Sequence, residues 1–410
     1  MVKNRTFRAL RHRNFRLFFF GQLTSLIGSW MQSVAQGWLV LQLSNSAFAL
    51  GLVGTFGYLP TMLFSFWGGS VADRKSKRRI VLATQTVAMC LAFSLAFLVT
   101  LNLIKTWHVV LLAFFMGTVM AFDLPARQSF LIELVGREDL TNAIGLNSSI
   151  FNAARLIGPG IAGFVIAYLG LEICFLINGL SFLAVIVSLL RMQNLQQANM
   201  VGFKKKGSIK EMAYYIRGQK EILMLLLLVA TFSILVLPYT VLLPIFARDI
   251  LKVGPKGLGF LFSAMGLGAL IGAIMIATIA GQRDKLLYLW SNALLFGALI
   301  WAFSLCNQYY LALFLLFLAG MTMVGFLTTA NAYVQLNVPD DRRGRIMGLY
   351  SIVFLGMMPV GSLLSGSLSQ YIGVQRAIST GAILAELITF GLGFYLFLTM
   401  GSRRRSDHKY

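Results

Sequence analysis

Apolar residues run along this chain in stretches of about 20, the length a helix needs to cross a hydrocarbon core of roughly 30 Å, and polar residues gather between them. The pattern predicts helical spans near 15–42, 46–71, 80–101, 107–126, 141–169 and 172–190, then near 222–246, 257–280, 285–304, 309–336, 345–371 and 376–399. The reading is an all-α membrane protein of twelve transmembrane helices. It divides into a six-helix bundle over 1–191, a polar inter-bundle loop over 192–220, and a second six-helix bundle with a polar tail over 221–410.

The two sets of spans repeat one another. At an offset of 203 residues Gly117 meets Gly320, Met120 meets Met323, Gly145-Leu146 meets Gly348-Leu349, Ser148 meets Ser351, Phe151 meets Phe354, Gly158 meets Gly361, Gly163 meets Gly366, Tyr168 meets Tyr371 and Gly170 meets Gly373. These are spans four and five against ten and eleven. Each half holds an even number of spans, so both lie the same way in the membrane, as in transporters built from parallel repeats around a midplane substrate site.

Composition agrees, at 58% apolar and 12% charged, with 33 phenylalanines and 39 glycines. The net charge of +21 could point to nucleic acid, but its distribution does not. Of the 35 lysines and arginines, 29 fall in the segments before span one, after the even-numbered spans and in the tail. The opposite side has Lys105, Arg248, Lys252, Lys256 and Arg376, and Arg155 lies inside a span. That asymmetry predicts termini and middle loop in the cytoplasm and needs no nucleic-acid partner. No cleavable signal peptide is expected, and Cys90, Cys174 and Cys306 are expected as free thiols.

After span two the chain reads Gly69-Ser-Val-Ala-Asp73-Arg74-Lys-Ser-Lys77-Arg78-Arg79. This resembles the Gly-x-x-x-Asp-Arg loop motif of the major facilitator superfamily, with Ser76 where the family has a glycine; the equivalent loop at 280–285 has lost most of the pattern. Span five, Ala154-Arg155-Leu-Ile-Gly158-Pro159-Gly160-Ile-Ala162-Gly163, is similar to the Gly-Pro motif of the superfamily's exporters, with Ala154 and Ala162 replacing two glycines. The stretches around Asn14-Phe15-Arg16, Trp30-Met-Gln32, Phe122–Gln128, Arg137–Ala143 and Met358–Ser362 narrow the resemblance to the branch of enterobactin exporters and macrolide efflux proteins, the third drug:proton antiporter family.

The resemblance implies a secondary exporter of a siderophore or a hydrophobic drug, coupled to protons. A carboxylate at the end of span two can pair with a basic group or a helix N-terminus, so Asp73 is a candidate gate, with Arg127 or the start of span eleven near Arg345 as partner. Gly69, Arg74 and Arg78 belong to that motif, and Gly158, Pro159 and Gly163 to a candidate rocking point where small residues allow close approach.

Ionisable residues inside spans are costly and mark function by default. Arg155 is expected either to face the central cavity and attract an anionic substrate group, or to pair with a carboxylate during the cycle. Asp123 and Arg127, four apart, are set for a helical ion pair and read as a gate. Asp123 and Glu386 are the only proton-coupling candidates well inside spans. There is no buried acid in span one and no arginine near Ala113. The candidate substrate lining adds Gln32, Gln36, Tyr58, Phe115, Asn152, Tyr239, Met265, Asn331, Tyr350 and Met357, an aromatic and amide set suited to a bulky amphiphilic solute.

His12, His108 and His408 are scattered outside the spans and no Walker-type sequence is present. An enzyme is therefore not expected, nor a cofactor or metal. The expected partners are a small-molecule substrate, a proton and membrane lipid, with the protein working as a monomer. A lipid or lysolipid transporter of the same fold, or a membrane sensor or scaffold, are the competing readings. The first needs a lateral opening and the second a solid midplane.

Overall fold

A computed structural model describes residues 7–193, 215–279 and 285–407, the side chains of 277–279, 340–341 and 397–407 excepted. The centre of the expected 192–220 loop, the segment 280–284 and His408 lie outside the described residues.

The first half consists of α1 (Arg13–Ser44), α2 (Ala47–Arg74), α3 (Lys77–Thr100), α4 (Thr106–Val135), α5 (Leu140–Tyr168) and α6 (Leu171–Leu190), preceded by one short 3₁₀ turn, Arg8–Arg11. The second half begins with α7 (Lys220–Leu235), which breaks before Pro238 and resumes as α8 (Tyr239–Ile245) and a π turn, Phe246–Ile250. It continues through α9 (Pro255–Ile279), α10 (Lys285–Ser304) and α11 (Tyr309–Asn337). The eleventh span is also broken, into α12 (Asp340–Leu355) and α13 (Met358–Ile372), and α14 (Val374–Asp407) carries the chain into its basic tail. Proline 359 sits at the start of α13, where a missing N–H costs nothing.

Eleven helical segments among the described residues are long and apolar enough to cross a membrane, and α1 is not one of them. Its 32 residues span ~48 Å at 1.5 Å each. Its apolarity is diluted by Gln22, Ser25, Ser29, Gln32, Ser33 and Gln36, recurring at helical spacing. Gln22, Ser25 and Gln32 are buried against neighbouring helices, Ser29 and Gln36 are half-buried, and Ser33 is exposed.

The packing repeats as the sequence does. In the first half α1 packs on α5 and α6, α2 on α4, and α3 on α4 and α6; in the second α7 packs on α13 and α14, α9 on α11, and α10 on α11 and α14. The halves meet along two seams, α2 against α13 and α5 against α9. Gly170 and Gly373, equated by the repeat, each turn the chain at positive φ (102° and 86°), a conformation that costs glycine nothing.

Even the chain ahead of each bundle docks in parallel. Arg8 Nε lies 2.8 Å from Asp139 Oδ1, and His12 Nε2 lies 2.8 Å from Asp139 Oδ2. The residues 203 further on, Tyr215 and Arg342, also meet, the guanidinium 4.5 Å from the ring centroid. Asn14 donates to the Gln193 carbonyl at 2.7 Å and so ties the start of α1 to the end of α6.

Candidate functional site

The seams are built from glycine. A Cβ on Gly163 would sit 2.8 Å from the Pro255 carbonyl at the start of α9, while within the first half one on Gly158 would sit 2.7 Å from the Ile27 carbonyl of α1. From the other side, Gly259 approaches the Pro159 carbonyl and Gly266 the Arg155 carbonyl, at 2.5 and 2.8 Å from a built Cβ. Gly51 and Gly366 make the matching approach in the α2–α13 seam. Pro159 is buried in the middle of the α5 seam.

This packing holds the backbone of Arg155 against the opposite half. Its guanidinium lies 5.7 Å from the Trp30 ring centroid, and Nη2 is 3.9 Å from Met323 Sδ across the divide. The phenols of Tyr58 and Tyr239 are its electrostatic neighbours. Nε is buried without a hydrogen-bond partner, and among the described residues no carboxylate forms an ion pair with Arg155. Arg155 is half-buried, and a cation inside a span without a counter-ion is costly.

Around it, Tyr239 donates to Met265 Sδ at 2.7 Å and both are buried. Tyr350 donates to the Leu327 carbonyl at 3.0 Å. Met357 sits at the break between α12 and α13 and is half-buried. Gln36 lies where α1 nears α8, next to Gly37, whose Cβ would meet Pro244. Asn152 donates to Ser148 in its own helix, and Asn331 accepts from Gln335, so neither amide is tied to the other half. Phe115 is 46% exposed and meets the Phe114 ring.

Gln32 departs from expectation. It accepts a hydrogen bond from Asn178 at 2.6 Å and is buried between α1 and α6, where it fastens the first bundle instead of lining a path.

The gate residues also sort differently from the sequence reading. Gly69 has nothing near its Cβ position; it is its neighbour Gly68 whose Cβ would run into the Ala121 carbonyl. Arg127 is not available to Asp73, because it pairs with Asp123 at 2.9 Å. Among the described residues Asp73 has no hydrogen-bond or ion-pair partner, Arg74 is exposed, and Arg78 donates to the Leu190 carbonyl at 3.2 Å. Arg345 sits half-buried early in α12.

The Asp123–Arg127 pair is present as the spacing predicted, but it faces inward. Asp123 is 1% exposed and Oδ1 accepts from Thr84 at 2.7 Å and Gln85 at 3.1 Å, both on α3. With its amide oxygen turned towards the guanidinium, Gln22 of α1 accepts from Arg127 Nη1 at 2.6 Å and Nε at 3.2 Å. Both residues thus belong to a polar knot tying α1, α3 and α4 within one half, not to a gate between halves. Gln22, Thr84 and Gln85 were missed; the polar stripe along α1 was their signal. Glu386 lies on α14 against Gly297 of α10, with Oε1 buried and unpartnered.

Polar and ring contacts between the halves cluster at the face opposite the chain ends. Arg248 donates to Asn45 at 2.5 Å, Ser46 to Gln370 at 3.0 Å, and Lys256 to Tyr168, while Phe164 meets Phe260 at 5.6 Å. These contacts join the halves at the far face, while among the described residues Asp73, at the terminal face where α1 begins and α14 ends, has no hydrogen-bond or ion-pair partner.

The sequence profile of the transmembrane secretion effector family matches residues 4–403. A staphyloferrin A transporter of Staphylococcus aureus is 26% identical over 387 residues, covering 91% of this chain and 94% of its own. The multidrug efflux pump Tap of Mycolicibacterium fortuitum is 24% identical, over 88% and 90%, and macrolide efflux protein A of Streptococcus pyogenes 22%, over 89% and 93%. Among solved structures, a bacterial homologue of the human lysosomal transporter Spinster, inward-facing and unoccupied, superposes with TM-score 0.71 at 13% identity, over 93% of this chain and 97% of that one. A POT family transporter in complex with 5-aminolevulinic acid gives 0.74 at 12% identity, over 94% and 96%. With its two six-span halves, its glycine seams and a match along nearly its whole length, the chain belongs to the transmembrane secretion effector family of the major facilitator superfamily.

Proposed function

We propose that this protein is a secondary active exporter of a small organic molecule, a siderophore or an amphiphilic drug, working as a monomer by alternating access with proton antiport. It lies in the bacterial cytoplasmic membrane with both termini in the cytoplasm, so the joined far face is periplasmic and this state opens inward. The observation that carries the reading is Arg155, a cation held at the middle of the fold beside Trp30, Tyr58 and Tyr239 without a counter-ion. An aromatic solute carrying a carboxylate or other anionic group complements it. The relatives named for staphyloferrin A and for macrolides support a siderophore or a drug as cargo, and the 29 to 5 distribution of basic residues supports the orientation.

The test compares metabolites inside and outside iron-starved cells with the transporter deleted, restored, or restored as Arg155→Ala. Loss of a siderophore from the medium, its accumulation inside, and rescue only by the intact protein are expected. Unchanged secretion in every strain removes the siderophore assignment and turns the question to a drug panel, then to lipid transport.

A further inference from the structure

The two halves match closely enough that a place where they differ carries information. One such place lies inside each bundle at the terminal face. In the first half it is filled: Phe18 packs edge-on against Phe130, ring centroids 5.7 Å apart and both buried, and beside them Lys77 pairs with Glu133 at 3.1 Å. The residues 203 further on from Phe18 and Phe130 are Glu221 and Tyr333, which meet through a hydrogen bond from the phenol to the carboxylate. Lys285, which opens α10 as Lys77 opens α3, keeps the lysine at an offset of 208, but the position 203 beyond Glu133 is Leu336. Here the second half opens instead as a surface groove of about 1060 Å³ between α7, α10, α11 and α14, lined by both charged groups and by Trp290, Phe390 and Phe394.

Its chemistry is graded from one end to the other. Glu221 starts α7, Lys285 starts α10 and Asn337 ends α11, so the polar end lies at the terminal surface of the bundle. Leu287, Leu336, Phe390 and Phe394 are exposed large apolar residues leading away from it. An opposed acid and base at the end of membrane-crossing helices, with an apolar flank beside them, complement a zwitterionic headgroup and its acyl chains. The transported solute does not fit this role, because the crevice is lined by one half alone and Arg155 is not among its residues.

We propose that this crevice is a binding site for an aminophospholipid of the leaflet at the terminal face. The phosphate is held by Lys285, the primary ammonium by Glu221 oriented through Tyr333, and the acyl chains by Phe390 and Phe394. A phosphatidylethanolamine headgroup offers both charges and three ammonium donors. Phosphatidylcholine offers the charges without the donors, and phosphatidylglycerol offers the phosphate alone.

The test is native mass spectrometry of the purified full-length protein in detergent, titrated with each of these three lipids. One phosphatidylethanolamine is expected to bind about tenfold more tightly than either of the others, the size of one charge-assisted hydrogen bond. Lys285→Ala and Glu221→Gln should each remove that preference. Arg74→Ala, an exposed basic residue at the same face, and Arg155→Met should both preserve it, which separates this site from surface charge and from the transport pathway. Quenching of Trp290 by brominated phosphatidylethanolamine, lost in Trp290→Phe, is the second readout and does not depend on the charged variants folding normally. Equal binding of all three lipids, a preference that survives both charge variants, or quenching unaltered in Trp290→Phe would each overturn the proposal.

Discussion

Ser263 on α9 donates a hydrogen bond to the carbonyl oxygen of Leu156 on α5 at 2.7 Å, across the boundary between the halves. The other seam has a weaker counterpart: the single hydroxyl hydrogen of Thr55 on α2 is shared between the Gly51 carbonyl of its own helix at 2.7 Å and the carbonyl of Pro359 on α13 at 3.1 Å. Leu156 and Pro359 are 203 residues apart, whereas Thr55 and Ser263 are 208 apart. Replacing both donors, as Thr55→Val with Ser263→Ala, should cost about 1 kcal/mol per bond and lower the melting temperature of the purified protein. An unchanged melting temperature would mean that the glycine approaches hold the seams alone.

The adjacent glycines of the loop motif should behave in opposite ways. Gly68→Leu drives a side chain into the Ala121 backbone and is expected to cost at least the ~1–3 kcal/mol of an overpacked core. Gly69→Leu projects into open space and should be tolerated. Membrane-inserted yield and melting temperature of the two variants make the comparison, and equal losses would contradict this placement of α2 on α4.

Arg155→Met installs the residue that the repeat places at position 358. Because the guanidinium has no counter-ion, its removal should leave thermal stability within about 1 kcal/mol of the parent. Export of an anionic solute should fall at least about tenfold, corresponding to one lost charge-assisted contact. Melting temperature and efflux rate are measured together; a large loss of stability would reveal a structural pairing instead.

Asp123 and Arg127 should show the opposite signature. Removing one member of a buried ion pair leaves a stranded charge and costs roughly 3–5 kcal/mol, so Asp123→Ala should be severely destabilised. The double variant Asp123→Leu with Arg127→Met should recover much of that loss, because an apolar pair of similar volume removes both charges at once. Expression and thermal unfolding of the single and double variants decide it.

Proton coupling has two candidate carriers, and their surroundings differ. Asp123 is held by a cation and two neutral donors, while the Glu386 carboxyl has the Ala298 backbone beside it, no cation, and Oε1 without a hydrogen bond. Asp123→Asn keeps an oxygen for Thr84 and Gln85 and should retain pH-driven exchange. Glu386→Gln should lose exchange while still binding substrate, if Glu386 is the carrier. Exchange assays in liposomes with an imposed pH gradient read both, and unchanged exchange in both variants would remove these two acids as carriers.

Helix number and the parallel repeat were legible in the sequence because apolar length and glycine spacing are local properties that lipid enforces. The offset of 203 found spans four and five against ten and eleven but not span two against eight, since residues inserted between elements shift the register without disturbing the packing. The pairing of Asp123 with Arg127 was legible for the same local reason, four residues being one helical turn. Which way the pair faced was not, because it depends on Thr84, Gln85 and Gln22 arriving from other helices.

The sequence by itself determined that this chain spans a membrane many times, in two like halves with a basic terminal face, because burying backbone in lipid leaves a helix few alternatives. It also singled out Arg155, since a charge in the middle of an apolar run is visible without any fold. Only the tertiary structure decided that Gln32 serves the α1–α6 contact, that Gly68 rather than Gly69 carries the close approach, and that Glu221 and Lys285 line one open groove. Each of these depends on which residues of distant helices come within a few ångströms, and no spacing along a single chain encodes that distance.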